Sequence, residues 1–371
     1  MTASTKRDIW FVLIVSLVGA GICLLPGVPV PPASEGRTVR AEVVAVDNSE
    51  VMTHGLVKAG SQRLTVKVDG ETFFANNQLR GQLELDKLFV PGDTALVVVR
   101  PEDRPGSSML QALDHSRNLW SFALFAAFCA LLCIFGGWTG VKALMSFVFS
   151  CLVIWKIVIP LALRGFPAAW TIFGAVALLT AVIIFLVAGV TRKGAAAFAG
   201  AISGVLAGLG MAHAFTRFMH INGAVLPYAQ TLLYSGAETV DLQDIFVGAM
   251  ILASSGAVMD LGMDIAAGVE EVALHNPKLS ARELTMSGIR IGRSVVGPMT
   301  TTLLLAYSGG YITLLMMFAV RGTAIPDFLN SALVASELVK TLIGSFSLVL
   351  VAPFTAVISG WIFRPRDPVS A

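Results

Sequence analysis

The chain has 371 residues, of which 55% are hydrophobic and 13% are charged, about half the charged fraction of an average soluble domain. Its net charge of +2 gives no indication of a nucleic-acid partner. Its four cysteines all lie in apolar runs, which argues against a disulfide framework or a zinc site. The composition is that of an α-helical integral membrane protein.

About eight transmembrane helices are predicted, because a bilayer core of about 30 Å requires roughly 20 apolar residues per helix. The first is preceded by Lys6 and Arg7 and resembles a signal peptide, but no small-residue cleavage site closes it, so we interpret it as an uncleaved anchor. The eight segments are 9–29, 118–136, 140–162, 168–190, 194–215, 244–265, 296–320 and 332–362.

A different pattern occupies residues 38–100, where apolar and polar residues alternate between turns at Gly70, Gly81 and 91–93. Four to six short strands are expected, enough for a small all-β, OB-like barrel between helices 1 and 2. The predicted organisation is an N-terminal anchor (1–30), the β domain (38–100), a linker (101–117), a seven-helix core (118–363) and a cytoplasmic tail (364–371).

The distribution of basic residues predicts the orientation in the membrane. With eight helices, most Lys and Arg residues near helix ends fall on one side, which the positive-inside rule makes cytoplasmic. Both termini are therefore expected in the cytoplasm and the β domain outside it. The residues on the cytoplasmic side are Lys6, Arg7, Lys142, Arg192, Lys193, Lys278, Arg282, Arg290, Arg293, Arg364 and Arg366, against Arg164, Arg217 and Arg321 on the other.

Three carboxylates near helix 6 are the main candidates for chemistry. Asp264 lies about 40° and Glu271 about 20° around the helix from Asp260, so all three share one face. Acidic groups inside a bilayer are costly and usually face a cavity, a partner or an ion path. We interpret the three as candidates for a proton or cation relay. The alternative is an ordinary helix end in cytoplasmic water, which we favour for Glu270 and Glu271.

Other polar residues could complete this site. Arg290 and Arg293 follow a capping-box pattern at Ser280–Glu283 on a basic, amphipathic elbow, and could pair with the acids or simply anchor the elbow. The hydroxyl groups could line a polar path or bond to their own helices. The hydroxyl candidates are Ser254, Ser255, Thr300, Thr301 and Thr302, and an outer-end pair is expected between Glu337 and Lys340.

Glycines at 200, 204 and 208 recur every four residues in helix 5, which favours close helix packing over a polar path. His213 and His220 are isolated and leave metal binding undetermined, and no cofactor is predicted. The sequence has no phosphate-binding loop, nucleophile elbow or H-E-x-x-H motif, so it does not indicate an enzyme.

Three stretches together resemble the YibE/F-like family of bacterial membrane proteins: 253–265, 287–307, and 337–345 with Pro353. Ser294 and Thr301 depart from the family pattern, which has an acid and an amide there. The resemblance implies a multi-pass protein of the bacterial plasma membrane. The order of one helix, an external domain and a helical core is also similar, more weakly, to Sec-type and resistance-nodulation-division proteins, which couple proton flow to movement of the external domain.

Two functions are consistent with these patterns. The first is a secondary transporter, or proton-driven membrane machine, that couples a proton or cation to an unknown small solute or ion. The second is a non-transporting envelope assembly protein whose β domain binds a partner while the helices anchor it in the lipid bilayer. The sequence leaves the oligomeric state open.

Overall fold

The computed structural model describes residues 3–27 and 36–364, so most of the predicted cytoplasmic tail lies outside the described residues. The strands are β1 (Arg37–His54), β2 (Val57–Val68), β3 (Glu71–Arg80), β4 (Thr94–Val99) and β5 (Met109–His115). The longer helices are α1 (Ala3–Cys23), α2 (Asn118–Val153), α4 (Ala168–Val187), α5 (Arg192–Phe218), α7 (Leu242–His275), α8 (Ala281–Gly310) and α11 (Ala332–Ile362). The shorter ones are α3 (Ile159–Leu163), α6 (Ala229–Tyr234), α9 (Ile312–Val320) and α10 (Ile325–Asn330), and a π-helix, Ile154–Val158, joins α2 to α3.

The chain is mostly helical, and helices occupy each of the eight predicted segments within the described residues. By length and composition, five described helices could cross a membrane, or six if α8 and α9, which meet at a 63° bend, form one span. Two predicted segments, 118–136 and 140–162, fall in one apolar stretch that breaks at Gly137 (φ 51°, ψ −127°). Glycine adopts such a backbone conformation without the steric cost that other residues have.

Helix α8 begins as predicted, with Ser280 and Glu283 forming a capping box. The sequence also predicted an interfacial elbow before a separate helix at residue 296. Instead, α8 continues from Ala281 through Pro298 to Gly310, and the bend comes only after that. The elbow prediction is therefore wrong in its position.

The core of the helical unit surrounds α7, which packs against α4, α5, α8 and α11. Its inward side chains include Val258, Leu261, Ile265 and Val269, all with no exposed surface. Burial of this kind on four sides fixes the rotation of α7 about its axis. The face of α7 that remains open is therefore set by the packing of the other faces.

The glycine stripe of α5 gives the close helix packing that the sequence predicts, and the structure shows that the partner is α11. A Cβ atom on Gly200 would collide with Thr355, and one on Gly208 would collide with Ser347. Between them, a Cβ on Gly204 would lie 2.9 Å from Cβ of Val351. The two backbones approach this closely only because the three positions lack a side chain.

Replacing Gly204 with Ala is expected to lower the thermal unfolding midpoint of the detergent-purified protein. The new methyl group would also lie 3.2 Å from the carbonyl oxygen of Ser347, so α5 and α11 would have to separate. Overpacking of this kind costs about 1–3 kcal/mol. Gly210→Ala on the same helix is the control, because nothing lies within 4 Å of its Cβ position, and it should be neutral or stabilising. Equal losses in both variants would contradict the close approach.

The second unit, residues 29–131, contains a closed five-stranded barrel in the order β1-β2-β3-β5-β4. All pairs are antiparallel except β3 with β5. Alternate residues of the strands point inward, so that Val43, Leu64, Val66 and Val97 form an apolar core. The strand number and barrel form agree with the predicted small β domain.

The predicted linker boundary is wrong, because residues 101–117 include β5. This strand closes the barrel by pairing with β4 on one side and β3 on the other. Its alternating pattern is short, and the Pro-, Asp- and Ser-containing turn just before it concealed the pattern.

A buried amide pair attaches the β3–β4 connection to the barrel. Nδ2 of Asn77 donates to Oε1 of Gln62 (3.0 Å) and to the carbonyl of Lys87 (2.6 Å). Gln62 in turn accepts from the Phe89 N–H (3.0 Å) and donates to the Phe89 carbonyl (3.1 Å). Phe89 is thereby fixed in the core, with 1% of its surface exposed.

Gln62→Ala is expected to increase hydrogen–deuterium exchange in the segment around Phe89. The substitution leaves the buried N–H and carbonyl of that residue without partners, at about 1–3 kcal/mol for each group. Gln78→Ala, an exposed amide on β3, is the control and should exchange like the wild type. Unchanged protection in the Gln62 variant would show that the amide pair does not hold the connection.

Candidate functional site

Helix α7 carries two acidic residues far from its ends. It has 34 residues and is about 51 Å long, against about 30 Å for a hydrocarbon core. Asp241 caps its first turn by accepting from the backbone N–H groups of Gln243 and Asp244. Between Asp244 and Glu270, the charged side chains are those of Asp260 and Asp264.

The acids lie on the face of α7 that the neighbouring helices leave uncovered. Asp260, Asp264 and Glu271 are all exposed, as are Ala253 and Gly256 on the same stripe. The four packed helices cover the other sides of α7. The carboxylates therefore point away from the core of the bundle, into the space that a lipid, a solute or another protein would occupy.

Ion pairing separates the acids into two groups. At the end of α7, Glu270 pairs with Lys193 of α5 (3.2 Å) and Glu271 with His275 one turn further on (3.3 Å). Across the described residues, Asp260 and Asp264 form no ion pair, and neither do Arg290 and Arg293, which are exposed on α8. The structure thus does not join the arginines proposed as charge partners to the acids.

The candidate hydroxyl groups bond to their own helices. Ser254 donates to the carbonyl of Met250 (3.1 Å) and Ser255 to that of Leu252 (2.8 Å). The three threonines of α8 donate to carbonyls four residues earlier: Thr300 to Val296 (2.8 Å), Thr301 to Gly297 (3.2 Å) and Thr302 to Pro298 (3.0 Å). These bonds satisfy the hydroxyl donors within their own helices, which is one of the two alternatives that the sequence left open; the other was a polar path.

The Glu337–Lys340 pair is present at the start of α11, with 2.8 Å between Nζ and Oε1. Both side chains are largely buried, at 25% and 20% exposure. One turn further along α11, a Cβ on Gly344 would lie 3.3 Å from both Ser254 and the Tyr307 hydroxyl. Helices α7, α8 and α11 therefore meet beside this ion pair.

Asp244 links three helices in a way that the sequence did not predict. Its Oδ2 accepts from the Ala169 N–H at the start of α4 (3.0 Å), and its Oδ1 lies 3.6 Å from Nε2 of His213 on α5. His213, expected to be isolated, therefore faces a carboxylate. Asp241 and Asp244 also line a cavity of about 420 Å³.

No group of three or more His, Cys, Asp or Glu side chains suited to a metal ion occurs in the described part of the chain.

Lys156 is a second residue that sequence analysis missed. It lies in the π-helix Ile154–Val158, and its Nζ donates to the carbonyl of Leu25 beyond the end of α1 (3.2 Å). A lysine that caps terminal carbonyls satisfies acceptors left free by the helix end. The only signal in the sequence was one basic residue inside an apolar run.

Several apolar helices of membrane-spanning length, in a chain that also forms a small β-barrel, indicate a membrane protein with one compact β domain. The family model described as YibE/F-like protein matches residues 124–365, more than half of the chain. The chain belongs to the YibE/F-like family. No curated protein and no solved structure shows significant similarity to it.

Proposed function

We propose that this protein is a secondary transporter, or proton-driven membrane machine, that couples a proton or cation to an unknown small solute or ion. Asp260 is the group that binds and releases the coupling ion, and Asp264, one turn away, is its acidic neighbour. The chain lies in a bacterial plasma membrane and crosses it eight times. Both termini are cytoplasmic, and the barrel is outside.

The observation that carries this proposal is an unpaired carboxylate on the central part of an apolar helix. Such a group is expensive in a bilayer, and proteins that retain one use it for an ion path, a proton relay or a partner. Near the helix end, Glu270 has a lysine partner and Glu271 a histidine partner, whereas Asp260 and Asp264 have no ion-pair partner among the described residues. Charge pairing within the described part of the chain therefore does not account for them.

The surroundings of Asp260 also favour ion exchange over packing. Gly256 and Ala253 precede it on the open stripe, so no large side chain covers the carboxylate from that direction. Meanwhile Val258, Leu261 and Ile265 anchor the opposite side of α7 in the core. A rigidly packed helix that presents an accessible acid on a face of small residues can bind an ion while the helix itself stays in place.

The Lys193–Glu270 pair supports the proposed orientation. It holds the start of α5 and the end of α7 at one level, next to Arg192 and near the basic start of α8. An accumulation of basic residues at one end of a helical bundle favours the cytoplasmic side.

Labelling with a hydrophobic carbodiimide tests the role of Asp260 without knowledge of the solute. The reagent attacks protonated carboxyl groups in apolar surroundings, so labelling of Asp260 in proteoliposomes should increase as the pH is lowered. A coupling cation should protect the residue. Mass spectrometry of the labelled peptides would separate Asp260 from Asp264 and Glu271. Asp260→Asn should abolish most of the labelling, while the protein keeps its thermal unfolding midpoint.

Glu271→Gln is the matched control, because it removes an exposed acid of the same helix that already pairs with His275. It should leave the labelling unchanged. Labelling that is absent at every pH, or equal at Asp260 and Glu271, would contradict the relay.

A further inference from the structure

A groove opens on the barrel where β3 and β5 separate. The parallel pairing covers three residue pairs, from Phe74 with Met109 to Asn76 with Gln111. Beyond this point β3 continues to Arg80 beside β2, and β5 continues beside β4. The groove between them has a volume of about 770 Å³ and is lined entirely by residues of the barrel unit.

Three basic residues line the groove: Arg80, Lys87 and Arg100. None of them forms an ion pair among the described residues. They come from β3, from the β3–β4 connection and from the residue after β4, so the fold rather than a local charge run brings them together. Lys87 also attracts the carboxylates of Asp86 and Asp114, from beyond ion-pair distance. Cationic side chains that lack an ion-pair partner along a groove favour an anionic occupant.

The two acids of the groove, Asp86 and Asp103, are engaged by the backbone. Asp86 accepts from the N–H groups of Arg80 (2.9 Å) and Gln82 (2.8 Å), and Asp103 accepts from that of Arg100 (2.7 Å). Burial opposes ionisation of Asp86, but these backbone N–H groups lower its pKa. Both carboxylates thus stabilise turns, and they offset only part of the positive charge of the groove.

The remaining lining suits an extended peptide. Amide side chains of Asn76, Gln78 and Gln111 offer donors and acceptors, and Met109, which is 56% exposed, offers an apolar contact. The part of β3 beyond its pairing with β5 is a strand edge, although the Arg80 N–H at its end is already bonded to Asp86. Strand edges accept an added strand through main-chain hydrogen bonds. Carboxylates on the side chains of an added strand could reach the cations on either side.

We propose that the groove between β3 and β5 binds an extended, acidic segment of a partner protein. The segment lies along Asn77–Leu79 of β3, before the Arg80 N–H that Asp86 accepts, and its carboxylates contact the side chains of Arg80, Lys87 and Arg100. This site lies wholly within the barrel and does not depend on the transport function proposed for α7.

Fluorescence anisotropy with the full-length protein in detergent tests the site. The probe is a labelled peptide of alternating Glu and Val, and its Gln–Val counterpart is the neutral comparison. The protein should bind the acidic peptide and not the neutral one. The combined variant Arg80→Gln, Lys87→Gln, Arg100→Gln should weaken binding by about tenfold or more, the effect of losing one or more charge-assisted hydrogen bonds.

The matched control removes three exposed basic residues of the barrel outside the groove, with Arg40→Gln, Lys58→Gln and Lys67→Gln. Its affinity should stay within about twofold of the wild type. Equal losses in the two triple variants would overturn the proposal, as nonspecific attraction would then explain binding. Failure of the acidic peptide to bind would also overturn it.

Polygalacturonate, a carboxylated polymer without a peptide backbone, separates a peptide site from a general polyanion site. Competition as strong as that of unlabelled Glu–Val peptide, at equal carboxylate concentration, would overturn the proposal. Weak competition supports strand addition.

If the groove triple variant unfolds at a lower temperature than the wild type, the single variant Arg100→Gln replaces it, since that side chain is exposed and forms no ion pair in the described structure.

Discussion

Packing of four helices around α7 is the constraint on which the arrangement of the helical unit depends. The close approach of α5 and α11 through Gly200, Gly204 and Gly208 leaves room for α7 to contact both. Val258 and Ile265 then lock its inward face. Once these contacts exist, the helical period alone determines where the remaining face points. The position of the acids on the open face is therefore a consequence of apolar packing elsewhere.

The barrel depends on polar contacts to a greater degree. Its closure requires the short β5, and its β3–β4 connection is held by hydrogen bonds of Gln62 and Asn77 rather than by a strand. Buried amides of this kind must be fully paired, because each lost bond leaves a desolvated group. The same connection places Lys87 in the groove, so the amide network also positions one of the cations.

Local patterns predicted most of the fold. The apolar segments, the alternating strands and the Ser280–Glu283 capping box are all encoded by residues close together in the chain. Two errors were local, namely the position of the elbow and the end of the β domain. The contacts that sequence analysis missed join distant residues. Asp244 bonds to Ala169, and Lys156 to Leu25, over separations of 75 and 131 residues, which no single-sequence pattern reports. The arginines of α8 and the acids of α7 were near in sequence but are not paired, because side-chain direction depends on packing.

The groove of the barrel and the middle of α7 leave opposite charges unmatched. In the barrel, acids are used to hold turns: Asp86, Asp93 and Asp103 each accept from backbone N–H groups. Its free charges within the groove are consequently basic. In the middle of α7 the free charges are acidic. The lysines that form ion pairs in the described helical unit are bound to other acids, Glu270 and Glu337. An unpaired carboxylate on an apolar helix is costly in a bilayer, so stability alone does not explain the acids of α7. These unmatched groups are the ones on which the two proposals rest, an acidic partner segment for the barrel and a proton or cation for α7.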